Sequence, residues 1–597
     1  MKRLTLALAV AAATSSMVSA DDSVETITVT ASRGANVQLP TLATHVVIER
    51  SDIELAQVES VPALLSRYAG IDVATNGGRR QVASVFTRGA SSDQTLVLVN
   101  GLRVNTASSG GATWNTMSPE LIERIEIVKG PRAAVWGSDA IGGVINIITR
   151  EQAPGSVTLN AKYGTNNTQS YYLGTGVSHG NGATTFAINK ERSDGLDVLK
   201  TSEPDDDGYE NISFTVNGNQ TVTNALSVNW LFKSSKQDVD FDSTYLNTSE
   251  NENREWQLAG NYQWTASDIQ NTATLSVGAI KDKNLSFGND RAKQDGDLFE
   301  TQSDQLSATN TSIFNESFTL VLGTDQYKEE MVSSTAFTQS ERRVEGYFGH
   351  GLFSQNGLTA EVALRYDDVE NIDSETTYNL GVGYQIKDEI QVSVAKGTGF
   401  KAPTFNDLYY PYGGNPDLLS ETSDTEEVNV TYVKNAFDLT VSYYNTDIEN
   451  LIEWAPDADN VWQPRNLSQA DISGVDVTAN YKGLGGNHTF NYGYLDAVDG
   501  ATGSRLVRRA KNQFSYQFTA SFDTTDLMLN YEYKGDRMDS GVELDSYQLV
   551  DVSVNHRFTD AISGKLKLHN VFDEEYETVL NYQTLGRSVY LSINYQM

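Results

Sequence analysis

The 597-residue chain contains no cysteine. Disulfides, thiolate zinc sites, iron–sulfur clusters and cysteine nucleophiles are therefore excluded. Histidine is scarce: His45, His179, His350, His488, His556 and His569 lie scattered, with no H-x-x-x-H pair. That spacing argues against a zinc hydrolase. Basic residues are few, 44 against 78 acidic ones, for a formal charge of −34. Binding to nucleic acid needs a basic face, so no nucleic-acid partner is expected. Beyond the N-terminus no apolar run is long enough for a transmembrane helix. What the chain does have is 29 Tyr, 21 Phe and 47 Gly, a mix suited to strands and turns.

The N-terminus carries its own signal. Lys2 and Arg3 precede an apolar run from Leu4 to Ala13, and Val18-Ser19-Ala20 fits a small-x-small cleavage site. Residues 1–20 therefore read as a secretory signal peptide. Its removal takes away two basic residues and leaves the remainder more acidic. An exported chain with no spanning helix is either soluble or a closed β-barrel.

The pattern changes near residue 150. Before it, Pro62 to Tyr68 reads as a short helix stopped by Gly70. Thr95 to Val99, Arg124 to Val128 and Val144 to Ile148 read as strands, with a turn at Asn100-Gly101. After it, apolar and polar residues alternate. Leu226, Val228, Trp230 and Phe232 share one face; so do Phe437, Leu439, Val441 and Tyr443, and Val589, Leu591, Ile593, Tyr595 and Met597. Loops rich in Asp, Asn and Ser interrupt this pattern at irregular lengths, as in outer-membrane barrels. At about 20 residues per strand with its connection, the segment holds roughly 22 strands, a size whose lumen is plugged. The expected fold is membrane all-β: an antiparallel outer-membrane β-barrel over residues 151–597, with an N-terminal α+β plug domain (41–150) inside the lumen. Residues 21–40 form a leader.

Three motifs point to function. Within the leader, Glu25-Thr26-Ile27-Thr28-Val29-Thr30-Ala31 is short and β-prone. It suits addition to a partner's sheet edge, and equally an ordinary edge strand. The second motif, from Gly130 to Arg150, has glycines for tight turns and clustered charges that pair with each other or with a barrel wall. It matches no phosphate loop. The third is acidic: Asp197, then Glu203-Pro204-Asp205-Asp206-Asp207-Gly208, then Asp238, Asp240 and Asp242. Such carboxylates repel one another unless a cation gathers them, and calcium suits flexible oxygen-rich loops. Twelve-residue counting puts Phe214 where an EF-hand needs its closing Glu, so an EF-hand is rejected. Plain solvated loops remain the alternative.

Taken together, the leader heptad, Arg88-Gly89, Leu98-Val99-Asn100-Gly101 and the motif ending at Thr149 resemble the plug of TonB-dependent outer-membrane receptors. The likeness continues through Gly399 to Thr404, Asn415 to Leu418, Ile472 to Asp476 and Asn570 to Tyr576. Asn76-Gly77-Gly78, Leu506 to Lys511, Tyr576 to Val579 and Tyr582-Gln583-Thr584 resemble the family's cobalamin-receptor branch in particular. The resemblance implies that Glu25 to Ala31 are a TonB box, pairing with TonB and driven by ExbB and ExbD. It implies a cobalamin site at Val82, Ser84, Ser91, Ser109, Gly110 and Arg508. Ser91 replaces an amide, and Ser109-Gly110 is smaller than the usual pair, or simply a flexible apex. It also implies calcium ligands at Asp197, Glu203, Asp205, Asp207, Phe241 (through its carbonyl), Asp242 and, as a candidate last ligand, Glu250. Family members usually end in an aromatic residue; this chain ends in Met597 on the apolar face.

The expected function is active import, not catalysis, by a monomer in outer-membrane lipid whose loops also offer phage or toxins a receptor. Alternatives are a TonB-dependent receptor for a ferric siderophore or haem, or, in another class, a passive porin or surface adhesin. Acidic loops disfavour anionic siderophores, and no histidine pair suggests haem.

Overall fold

A computed structural model describes residues 33–34, 39, 41–200, 204–243, 245–288, 291–456 and 462–597. The signal peptide and the heptad at Glu25 to Ala31 lie outside the described residues, as does Glu203.

The N-terminal unit has seven short strands: β1 (His45–Ile48), β2 (Ile71–Thr75), β3 (Ala83–Thr87), β4 (Thr95–Val99), β5 (Leu102–Arg103), β6 (Ile122–Lys129) and β7 (Gly143–Thr149). Five of them form one sheet in the order β1-β6-β7-β4-β5, while β2 and β3 pair only with each other. Continuous apolar runs build the central strands, as expected when both faces are covered: every residue of β4 is buried, and it runs parallel to β7. Helices α1 (Arg50–Ala56), α2 (Val61–Leu65) and α3 (Ala133–Trp136) pack around this sheet. The helix read from Pro62 to Tyr68 is shorter than expected: it starts on the Ser60 cap and ends at Leu65. Turns cover residues 66–70, and Gly70 takes φ +71.

Among the described residues, 22 antiparallel strands then close a barrel, the last (Ser588–Gln596) pairing with the first (Val157–Gly164). Alternation makes this possible. One set of side chains faces the membrane, for example Phe232, Trp256, Leu275, Leu364 and Leu591, all exposed. The other faces the plug and is polar: Asn189, Glu191, Ser235, Arg365, Asp367 and Ser442 are buried in the lumen. At one end the strands are joined by tight turns such as Ser267-Asp268 and Asn356-Gly357, with φ of 50° and 69°, and 52° and 81°. Positive φ at both central positions is the hairpin geometry that matches strand twist. At the other end the connections are long: 197–206, 402–420, 500–511 and 570–587. Long loops mark the extracellular end.

The charges of the second motif pair with the barrel wall. Arg132 reaches Glu361 at 3.0 Å and, just before the motif, Lys129 reaches Asp476 at 3.4 Å. Arg88 joins them, 3.1 Å from both Glu427 and Asp476. On another wall Arg67 binds Asp551 at 2.9 Å. Buried charges persist only when paired in this way, and the pairing seats the plug inside the barrel.

Candidate functional site: an outer bowl and an acidic loop cluster

Plug apices and barrel walls enclose an open bowl at the extracellular end, with about 2010 Å³ of empty space. Five of the six expected ligand residues line it: Val82, Ser84, Ser91, Ser109 and Arg508. Val82 is 60% exposed, its apolar side chain open to the bowl. The sixth, Gly110, turns away from the bowl at φ +75, its carbonyl accepting from Asn105 Nδ2 at 2.7 Å. A Cβ there would press on Asp93 and Thr404, so glycine is needed for the apex to sit against the barrel. Ala107 of the same apex accepts from the Phe405 N–H at 3.0 Å. This docks the apex onto α4 (Phe405–Tyr409), a helix capped by Thr404.

Arg508 is held by Asp539 at 3.0 Å. Its neighbour Arg509 also lines the bowl; it donates to Ser91 Oγ at 3.0 Å and to the Gly89 carbonyl at 3.1 Å, and covers the Phe86 ring. Asp93 is anchored on the buried Lys401 at 3.0 Å. The barrel strands add Asn251, Asp282 and Asn284, and α4 adds Asn406. Asn251 Nδ2 and Asn406 Oδ1 are buried without a hydrogen-bond partner. Unsatisfied amide atoms at a cavity wall are what an amide-bearing ligand would complete. Isolated Asn residues in alternating strands, or in a short loop helix such as α4, carry no signal in the sequence of where they point. Arg509 stood within the quoted Leu506–Lys511 motif.

Beside the bowl, Asp197, Asp207 and Asp242 bring one carboxylate oxygen each to within 4.8 Å of one another. Asp207 is 5% exposed and Asp242 8%. Their loops are fixed by backbone: Val198 N–H donates to Asp207 at 2.9 Å and Leu199 N–H to Asp242 at 3.2 Å. A register shift between Ser193 and Leu196, with Gly195 at φ +79, swings Asp197 inward; a Cβ on Gly195 would strike the Asp207 carbonyl. Burial, and then the neighbouring Asp242 carboxylate, push the Asp197 carboxyl above its ordinary value. Asp197 Oδ1 is buried without a hydrogen-bond partner, and among the described residues no Lys or Arg pairs with the trio. Three carboxylates with an orphaned oxygen and no counter-charge fit a hard divalent cation. Of the other expected ligands, Asp205 is exposed outside the trio and Phe241 is half-buried beside Asp242. Glu250 also stands outside the trio, its carboxylate held by Lys293.

Comparison with known proteins places this architecture. Residues 38–144 match the TonB-dependent receptor plug domain, and residues 152–572 match the TonB-dependent receptor-like β-barrel. The chain belongs to the TonB-dependent receptor family. It is therefore a protein of the Gram-negative outer membrane, and its family is one of transporters and receptors. A protein of Vibrio vulnificus named vitamin B12 transporter BtuB is 31% identical, over 96% of this chain and 95% of its own length. One of the same name from Photobacterium profundum is 31% identical over the whole of both chains. Solved structures share the fold at lower identity. The siderophore receptor PirA of Acinetobacter baumannii has a TM-score of 0.81 at 19% identity, covering 93% of this chain and 98% of its own. A ferric enterobactin receptor (PfeA) mutant of Pseudomonas aeruginosa has 0.80 at 16%, covering 93% and 99%.

In this receptor Arg33 follows the leader heptad and is clamped to the barrel. It binds Asp325 at 2.6 Å, donates to Ser307 Oγ at 3.0 Å and lies 4.2 Å over the Trp136 ring. The segment just after the expected TonB box thus starts from a fixed point on the lumen wall.

Proposed function

We propose that this receptor imports cobalamin across the outer membrane by TonB-dependent active transport, with calcium held in its acidic outer loops. The observation that carries the reading is the bowl: large, floored by plug apices, and walled by hydroxyls and amides. Cobalamin is bulky, largely neutral and rimmed with amides, so it needs adaptable hydrogen-bond partners and apolar contact. The bowl provides both, and two relatives 31% identical over nearly the whole chain are named vitamin B12 transporters.

Asp197, Asp207 and Asp242 would hold calcium, which supplies the positive charge the trio lacks. With the mutual repulsion removed, the loops around Val198 and Asp240 keep their place against the plug. Gln81 Nε2 already donates to the Asp240 carbonyl at 2.8 Å, and Val198 lies against Gly77. Ligand resting on Ser84, Ser91 and Ser109 touches the same plug that carries the leader. It releases Glu25 to Ala31 to TonB only through a difference in affinity between two plug states. ExbB and ExbD then supply the force.

The test is uptake of labelled cyanocobalamin by cells that rely on this receptor. Uptake that disappears on deleting residues 25–31 or TonB supports the reading. Uptake indifferent to both deletions points to a passive channel, and uptake of ferric siderophore or haem in its place moves the ligand assignment.

A further inference from the structure

The barrel loop 500–511 carries two consecutive arginines that part company at the bowl. Arg508 takes φ +65, donates its N–H to the Met538 carbonyl at 2.7 Å and turns its guanidinium to Asp539. Arg509 reaches the other way, onto the plug. It is 8% exposed, covers the Phe86 ring at 4.4 Å and still lines the bowl. Its side-chain hydrogen bonds go to neutral oxygens: the Val507 carbonyl at 2.7 Å, the Gly89 carbonyl at 3.1 Å and Ser91 Oγ at 3.0 Å. Val507 belongs to its own loop, Gly89 and Ser91 to the plug. The arginines that seat the plug end differently: Arg67 and Arg132 each close on a barrel carboxylate.

The bond to Ser91 decides how that residue meets a ligand. A serine hydroxyl has one proton and two lone pairs, whereas a guanidinium has donors only. Arg509 therefore occupies a lone pair and leaves the Ser91 proton unused. Among the described residues the Ser91 hydroxyl donates to no other group, and the side chain lines the bowl. The backbone beneath it is fixed as well. Ser91 N–H donates to Gln94 Oε1 at 2.8 Å, and Gln94 Nε2 donates to Glu421 of the barrel at 2.7 Å. Ser109 has no such constraint: its Oγ lies 3.0 Å from Thr106 Oγ1, and either hydroxyl can donate. Arg509 thus singles out one hydroxyl of the bowl and gives it one polarity.

We propose that Arg509 is a positioning residue of the ligand site, holding Ser91 as a hydrogen-bond donor toward a carboxamide carbonyl on the ligand's rim. This rests on the cobalamin reading above. The cation also polarises the hydroxyl, so Ser91 donates more strongly than an isolated serine would. Ser91 belongs to the plug and Arg509 to a barrel loop, so this donor is set only while the plug is seated.

A double-mutant cycle on cyanocobalamin binding to the purified full-length receptor tests the assignment. Ser91→Ala removes the donor and should weaken binding about fivefold. Arg509→Met should also weaken it about fivefold when Ser91 is present. In the Ser91→Ala receptor, where no hydroxyl is left to orient, the same change should cost less than about twofold. Arg509→Lys keeps the charge without the planar fork. It should show a smaller loss with the same dependence on Ser91, and it decides the matter if the Met variant fails to assemble. Ser91→Asp can still accept from Arg509 but shows the ligand only acceptors, so it should bind more weakly than Ser91→Ala. Equal losses from Arg509→Met in both backgrounds, or wild-type affinity in Ser91→Asp, would overturn the assignment while leaving the bowl and its ligand standing. A wild-type receptor that does not bind cyanocobalamin would overturn the functional reading itself, and the assignment with it.

Discussion

At the seam between plug and barrel, Glu427 and Asp476 meet Arg88 and Lys129, and each carboxylate has a cation within 3.4 Å. At the outer loops, Asp197, Asp207 and Asp242 meet one another. The seam carboxylates are buried, and of the trio Asp207 and Asp242 are buried while Asp197 is half-buried, yet only the first group is neutralised by protein. The difference teaches what each region is for. A seam that must stay closed at rest supplies its own counter-charge. On the proposed calcium reading, a loop cluster left with uncompensated charge takes its counter-charge from a cation added from outside.

The same chemical change should therefore act with opposite sign in the two places. Asp476→Asn strands Lys129 in a buried site, while Arg88 keeps Glu427, and should destabilise plug seating by about 3–5 kcal/mol, read as a lowered thermal midpoint and faster proteolysis of the plug. Asp207→Asn removes a repelling charge. The cation-free protein should hold or gain up to about 1 kcal/mol, while calcium affinity falls about a hundredfold, roughly 2.7 kcal/mol, in a calcium titration. If both variants lost the same stability without calcium, the distinction between the regions would collapse.

Acid should separate the regions further. The Asp197 carboxyl is raised, so in the cation-free state it takes up a proton before an ordinary carboxylate does. Protonation relieves repulsion there, and calcium must displace that proton. Calcium affinity should weaken as pH falls through the raised value, with proton release on binding measurable by calorimetry in buffers of different ionisation enthalpy. The smallest effect is expected at Arg508, already engaged by Asp539. Arg508→Ala should weaken cyanocobalamin binding by about 1 kcal/mol and leave calcium affinity unchanged.

The barrel was legible because alternation over hundreds of residues, interrupted by polar loops of irregular length, is the pattern of an outer-membrane barrel. The strand number followed from length alone. The plug strands at Thr95–Val99 and near Val144 were legible as continuous apolar runs bounded by Gly and Asn. Helix α2 ends earlier than the sequence pattern suggests: Ser66, Arg67 and Tyr68 are compatible with a helix, yet the chain turns after the Ser66 cap and Arg67 reaches Asp551 on the barrel wall. The acidic trio was legible as a cluster. Which members converge was not: that depends on the register shift at Gly195, which composition does not encode. The amide of Asn251 was invisible because facing the bowl is a property of barrel closure, and that of Asn406 because it depends on how α4 packs against the plug apex.

The central claim is that an outer bowl takes cobalamin when the unpaired carboxylates beside it are satisfied by calcium. Equilibrium binding of cyanocobalamin to the purified receptor, with calcium and then with chelator, tests it most directly. The account predicts tight binding that weakens on chelation and returns when calcium is restored. Binding indifferent to chelator would contradict the role given to Asp197, Asp207 and Asp242, and no binding in either condition would contradict the ligand itself.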